Sequence, residues 1–291
     1  MIVATDNQML ESYVGAHQSG CVFVPTMGAL HEGHVSLVRS AVALAKNRGL
    51  SAGCAVSIFV NPTQFNDKSD FERYPKTLDE DLRLCREAGA SCVYVPAPEH
   101  IYPAGRSIPI PPLPEVATAP QLEDAFRPGH FAGVCQVVAR LFELVRPAAA
   151  IFGEKDWQQY QVIRAMVQQQ RSETNSVTPE IIGAPTIREV DGLAMSSRNR
   201  FLNPEERRLS RAISRALFEG RKGRTPTEAE TIMKWSLSRY GIGADYAVVR
   251  DAASLMPVRE LRSDGIYRAL ITARVGSVRL LDNGPWSPCA E

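Results

Sequence analysis

The chain has 291 residues, 44% of them hydrophobic, enough apolar material for a large core and enough length for two domains. Lysine and arginine total 33 against 32 aspartates and glutamates, a formal net charge of +1, so the basic excess that extended nucleic acid binding demands is missing and a small substrate is expected. No stretch approaches the ~20 apolar residues of a membrane span, and Met1–Asp6 lacks a basic region leading into an apolar one, which predicts neither a membrane partner nor an export signal.

A short amphipathic segment, Asn7–Ala16, precedes the first predicted strand. Val22–Thr26 reads as that buried strand, and a 3.6-residue apolar period follows His34, so the two form the first strand, loop and helix of an α/β domain, with Gly49 as the helix C-cap. Between them lie Gly28, Gly33, His31 and His34, the histidines at a spacing that puts both rings on one side of the incoming turn. A helix N-terminus with glycines and ring donors suits a phosphate. The pattern is neither the Gly-Lys-Ser/Thr phosphate loop nor the triple-glycine dinucleotide fingerprint. Spacing alone fits a structural histidine pair equally well, and half of a zinc site less well, because no cluster supplies the other ligands.

Cys54–Val60 suits a buried parallel strand that ends in Asn61-Pro-Thr-Gln64. Loops at the C-terminal ends of such strands carry ligands, which makes Asn61 and Gln64 candidate substrate contacts, although a proline turn with a self-capping Asn is the stronger local reading. Thr77–Glu80 has the form of a capping box opening a helix that closes near Gly89, and Ser91–Val95 is the next strand. Prolines crowd residues 96–120, predicting an irregular surface excursion. Phe126–Gly133 leads into a helix at Val134–Arg146, and the strand Ala148–Phe152 delivers Gly153, Glu154, Lys155 and Asp156 at the mouth of a helix that carries Trp157, Gln158 and Gln159. A glycine, a cation and a cap acceptor at a strand end suit a nucleotide, and as a lone tetrad would more often be a charged turn.

Arg171–Pro179 is polar and marks the end of the first domain, with the strand Glu180–Ile182 finishing its sheet. Thr186–Val190 and Leu193–Met195 read as a hairpin about an Asp191-Gly192 turn, presenting Ser196, Ser197, Arg198 and Asn199 as a phosphate-reading set. Helices at Pro204–Gly220 and Pro226–Arg239 and strands at Tyr246–Val249, Ile266–Ala273 and Val278–Leu281 complete the chain. The expected fold class is α/β: a Rossmann-like doubly wound parallel sheet over residues 1–182, which binds ATP and pantoate on the resemblance below, then a smaller α+β C-terminal domain over 183–291 that closes over the site. Six cysteines, at 21, 54, 85, 92, 135 and 289, form no Cys-x-x-Cys and are expected to be reduced core residues of a cytoplasmic protein.

Taken together, Pro25–His34, Phe59–Phe65, Arg73–Pro75, Arg127–Phe131, Phe152–Asp156, Gln158-Gln159, Asp191–Asn199 and Leu281–Asn283 resemble the signature of the pantothenate synthetases, a family of the nucleotidyltransferase group that shares a His-x-Gly-His motif. Trp157, where other aromatics are common, and the bulky Phe126 are small departures that leave the polar positions intact. The resemblance implies an AMP-forming carbon–nitrogen ligase that activates (R)-pantoate with ATP, releases pyrophosphate and passes the pantoyl adenylate to β-alanine. Mg²⁺ would accompany ATP with no metal ligand from the protein, and the enzyme would be a cytoplasmic homodimer. It places Met27, Gly28, Ala29, Leu30, His31, Glu32, Gly33, His34, Gly153, Glu154, Lys155, Asp156, Ile187, Met195, Ser196, Ser197 and Arg198 along ATP. His34 stands in the family's proton-donor position, and with Lys155 and Arg198 forms the expected catalytic group; Gln64 would contact pantoate and β-alanine, Gln159 pantoate, and Asn61 the same region. A nucleotidyltransferase for another substrate would not be expected to share Asn61, Gln64 and Gln159, and a non-catalytic nucleotide sensor should have lost His34, Lys155 or Arg198.

Overall fold

Strands apolar on both faces need helices on both sides, and the alternating chain supplies them. The computed structural model describes residues 1–17, 19–65, 71–174 and 178–288. Among these, β1 (Ile2–Ala4), β2 (Val22–Thr26), β3 (Cys54–Ile58), β4 (Cys92–Tyr94), β5 (Ala149–Gly153) and β6 (Glu180–Ala184) form one six-stranded parallel sheet in the order β1-β4-β3-β2-β5-β6. The period of two sorts the faces: Val22, Val24, Val56, Val93 and Ile151 pack with Val35, Val38 and Ala41 of α2 (Glu32–Asn47) and Cys85 of α3 (Leu78–Glu87). Phe23 turns the other way, its ring edge-on to Phe142 of α4 (His130–Val145), which also packs beside α1 (Asn7–Gly15).

The sheet opens where the order reverses. Val22 N–H and Thr26 C=O bond toward β3, so the intervening Pro25 faces β5 with no N–H to donate. Pairing of β2 with β5 accordingly stops at Phe23–Ala150, whereas pairing with β3 runs on to Thr26–Ile58. The loops leaving β2 and β5 thus diverge at the switch point of a doubly wound sheet, the usual place for a ligand.

The chain divides into two compact units: Met1–Glu154 with Gln159–Pro185, and Lys155–Gln158 with Thr186–Glu291. The second unit packs α6 (Pro204–Gly220) and α7 (Pro226–Ser238) against an antiparallel sheet of β7 (Ala244–Asp251), β8 (Tyr267–Val275) and β9 (Val278–Trp286). Its core includes Ile213, Leu217, Met233, Leu237, Val249, Ile271 and Trp286.

Several local expectations are corrected. The strand β1 is not among the predicted elements; three residues at a sheet edge carry too little pattern. Helix α2 begins at Glu32 rather than after His34, because the His31 side chain caps it. Thr77 makes no side-chain cap to α3: its hydroxyl donates to Asp81 instead, and Glu80 pairs with Arg83. The arm at 186–195 closes through a three-residue turn, Val190-Asp191-Gly192, with Glu189 N–H on Leu193 C=O and Gly192 left-handed, rather than a two-residue Asp-Gly turn. Helix α5 (Trp157–Thr174) extends into the polar stretch expected to end the domain; Asn175–Val177 of that stretch, like Cys289, lie outside the described residues. The other five cysteines are free and buried, and burial pushes the Cys92 thiol up to about 11, so it stays protonated at neutral pH.

Candidate active site

The loop after β2 is shaped by a buried carboxylate from α3. Asp81, 1% exposed, accepts from Ala29 N–H at 3.0 Å and Leu30 N–H at 2.8 Å, with the Thr77 hydroxyl 3.2 Å from each of its oxygens. Gly28 has a left-handed φ of +80°, and a Cβ there would lie 2.9 Å from Asp81 Oδ2 and 3.1 Å from Ile58 Cγ2, so only glycine fits. Sequence reasoning misses Asp81. Its signal is an acidic residue in register with Cys85 and Ala88, which puts a charge on the buried face of an amphipathic helix.

The histidines are built into the start of α2. His31 Nδ1 accepts from Gly33 N–H at 3.1 Å, and His34 Nδ1 accepts from His31 N–H at 3.4 Å, a reciprocal capping box with ring centroids 4.1 Å apart. An accepting Nδ1 leaves the ring hydrogen on Nε2, so at the positive end of the helix each ring has Nε2–H as its donor. Glu32, exposed, pairs with Arg39.

Gln64 lies beside this loop, its Nε2 2.9 Å from Met27 Sδ. It belongs to a 3-10 turn, Pro62–Gln64, whose cap is Asn61: the Asn61 Oδ1 accepts from Thr63 N–H and from the Tyr102 hydroxyl at 2.8 Å, and Nδ2 donates to Gln64 Oε1 and to Gly133 C=O, both at 3.2 Å. Asn61 is 1% exposed, so its amide serves the turn's interior. Beneath it, His130 Nδ1–H donates to Gln64 C=O at 3.0 Å and its Nε2 accepts from Arg127 at 3.0 Å, which gives Arg127 and His130 a role that the sequence did not. Gln159 is half-buried on α5.

In the second unit, Lys155, Ser196, Arg198 and Asn199 line one small cavity with Leu193 and Asp282. Ser196 caps a 3-10 turn over Ser197–Phe201, its hydroxyl accepting from Arg198 N–H. The arm that carries them is pinned twice. Arg188 makes a two-pronged pair with the buried Asp282 at 2.6 and 3.0 Å, and Asp191 a second with Arg207 at 2.6 and 3.0 Å. The Asp282 bonds hold the Arg188 guanidinium above its ordinary range, and those from Arg207 hold the Asp191 carboxyl below its own. Ile187 C=O takes Met195 N–H at 3.0 Å. Lys155 Nζ is 3.8 Å from Asp156 Oδ1, within a 3-10 turn, Glu154–Asp156, that follows Gly153. Among the described residues no group of three His, Cys, Asp or Glu side chains is placed to hold a metal ion, and no helix is long and apolar enough to cross a membrane.

Comparison with known proteins identifies the family. The family profile described as Pantoate-beta-alanine ligase matches residues 2–285. The chain is 44% identical over 270 residues to the pantothenate synthetase of a Nocardioides species, covering 90% of this chain and 77% of the relative. It is 45% identical over 268 residues to that of Granulibacter bethesdensis, covering 90% and 88%. Among solved structures it resembles pantothenate synthetase from Thermus thermophilus, with a TM-score of 0.85, 36% identity and 97% and 98% of the two chains covered. It also resembles a pantoate-beta-alanine ligase from Francisella tularensis solved with beta-gamma ATP and beta-alanine, with a TM-score of 0.78, 30% identity and 98% and 97% covered. On the profile and the curated relatives alike, the chain belongs to the pantoate–β-alanine ligase family.

Proposed function

We propose that this chain joins (R)-pantoate to β-alanine at the expense of ATP, through a pantoyl adenylate, yielding pantothenate, AMP and pyrophosphate. The observation that carries the site assignment is the Gln64 amide seated against Met27 of the histidine loop. A neutral amide orients a hydroxy acid by hydrogen bonds without locking its carboxylate in an ion pair.

Pantoate's carboxylate, with a pKa of roughly 4, is ionised at neutral pH, so the first step needs no general base. It attacks the α-phosphorus, and the bond to the leaving pyrophosphate breaks with its electron pair on the pyrophosphate. The proposed nucleotide set, Met27–His34, Gly153–Asp156, Ile187 and Met195–Arg198, answers that charge: the Nε2–H groups of His31 and His34, the Lys155 ammonium, the Ser196 and Ser197 hydroxyls and the Arg198 guanidinium stabilise it. Gln64 and Gln159 hold pantoate, and Asn61 fixes the Gln64 turn. Mg²⁺ belongs to the proposal as the counter-ion that would accompany ATP. In the second step the β-alanine amine, after losing a proton from an ammonium of pKa roughly 10, attacks the acyl carbon, and AMP leaves with the electrons of the acyl–oxygen bond. We also propose a cytoplasmic homodimer, supported by reduced buried cysteines and by the exposed apolar Met1, Ile2 and Met9 at the β1 end of the sheet.

AMP release measured with each substrate omitted in turn tests the reading: it is expected to require ATP and pantoate, with pantothenate formed only on adding β-alanine. Gln64→Ala is expected to raise KM for pantoate and for β-alanine at least about tenfold, a lost hydrogen bond to a charged partner, while ATP affinity by calorimetry stays within about twofold. Weakened ATP binding with normal pantoate use would contradict the assignment.

A further inference from the structure

Lys155 lies between β5 and α5 in the chain, yet with Asp156, Trp157 and Gln158 it groups with the second unit. The reason is a set of buried polar contacts to β8 and β9. Arg268 and Asn283, 8% and 2% exposed, are diagonal neighbours on one face of that antiparallel pair. The Arg268 guanidinium lies 3.4 Å from the Trp157 ring centroid, and its Nε donates to Asn283 Oδ1 at 2.6 Å. With Oδ1 accepting, the Asn283 amide can point only one way, and Nδ2 donates to the Lys155 backbone carbonyl at 2.6 Å. Trp157 Nε1 donates to Ala252 C=O at 2.8 Å and closes the clamp. The neighbouring β9 residue, Asp282, holds Arg188 of the arm that carries Ser196 and Arg198.

We propose that Asn283, oriented by Arg268, is a positioning residue for Lys155: one β-strand sets the backbone of the reacting cation, and through Asp282 that of the hydroxyl and guanidinium arm. The proposal rests on Lys155 acting on the leaving pyrophosphate. A cation displaced by an ångström loses much of its effect on the transition state while the rest of the nucleotide site still binds ATP. The consequence is a loss in turnover, not in affinity.

Asn283→Asp separates positioning from plain packing. It keeps an acceptor for Arg268 but removes the donor to Lys155, and sets a carboxylate oxygen against a carbonyl. In the full chain, Asn283→Asp and Asn283→Ala are each expected to lower kcat for AMP formation about 10- to 100-fold, with KM for ATP within about twofold. In a Lys155→Ala background Asn283→Ala is expected to cost no more than about a further twofold, since it acts through the group already removed. Amide hydrogen exchange of residues 155–158 should quicken in both single variants while that of α6 and β8 is unchanged, a readout that needs no turnover. Unchanged exchange at 155–158, full kcat in Asn283→Asp, or losses that multiply in the double variant would each overturn the proposal. Failure of the ligase reading appears separately, as wild-type chain without pantoate-dependent AMP release, and the exchange data still decide whether Asn283 holds the Lys155 segment.

Discussion

Lys155→Ala is expected to lose about a hundredfold or more in kcat for adenylate formation, with KM for ATP almost unchanged. The argument is electrostatic. Charge on the bridging and terminal oxygens of pyrophosphate grows as the bond to the α-phosphorus breaks, so a cation held there stabilises the transition state more than bound ATP. Lys155 suits that role because its side chain is 18% exposed and its 3.8 Å approach to Asp156 is too long for a tight pair. A hundredfold loss corresponds to ~2.7 kcal/mol of transition-state stabilisation. Steady-state kinetics on the variant decide the matter; a raised KM with normal kcat would mean that Lys155 binds ATP uniformly and takes no part in the chemical step.

Gly133→Ala is the substitution expected to damage the pantoate side most. Gly133 sits in the first turns of α4, where a Cβ would overlap the backbone carbonyl of Thr63 and lie 2.9 Å from Gln64 N. Neither is a flexible side-chain end that can swing away. The helix must back off, or the Asn61–Gln64 turn must shift and release the bonds from Asn61 to Gly133 C=O and from His130 to Gln64 C=O. Overpacking of this kind costs about 1–3 kcal/mol, and the same shift moves the Gln64 amide off its position beside Met27. Denaturant melts should show the destabilisation, and the surviving enzyme should show a pantoate KM raised at least about tenfold, one hydrogen bond's worth. A variant with wild-type stability and wild-type pantoate KM would show that α4 does not set the turn.

What the sequence made legible followed from local physics. β2, β3 and β5 were readable because continuous apolar runs cannot be solvated; α6 has the bounds expected of it, and in the structure Asn203 and Glu206 cap its start reciprocally. The histidine loop was readable as a strand-to-helix turn, but its capping was not: the caps made by both Nδ1 atoms are visible only once α2 is seen to start at Glu32. Contacts at long sequence separation stayed hidden. Asp81 shapes a loop about fifty residues away (51 and 52 positions), and local pattern reading consumed its neighbours Thr77 and Glu80 as a capping box that does not form. Asn283 reaches Lys155 across 128 positions and Trp157 reaches Ala252 across 95, so nothing local announces that a segment between β5 and α5 groups with the second unit. Asn61 shows the reverse. Its local reading as a self-capping turn residue matches its bonds in the structure, where its side-chain amide also donates to Gln64 Oε1.

The most direct test of the account is pantoate-dependent exchange of labelled pyrophosphate into ATP by the full chain in the absence of β-alanine. Activation of the carboxylate before any amine is present predicts exchange that depends on pantoate and Mg²⁺, falls about a hundredfold or more in Lys155→Ala, and needs no β-alanine. Exchange that appears only when β-alanine is added would contradict a separate adenylation step, and with it the charge-stabilising roles of His31, His34, Lys155 and Arg198.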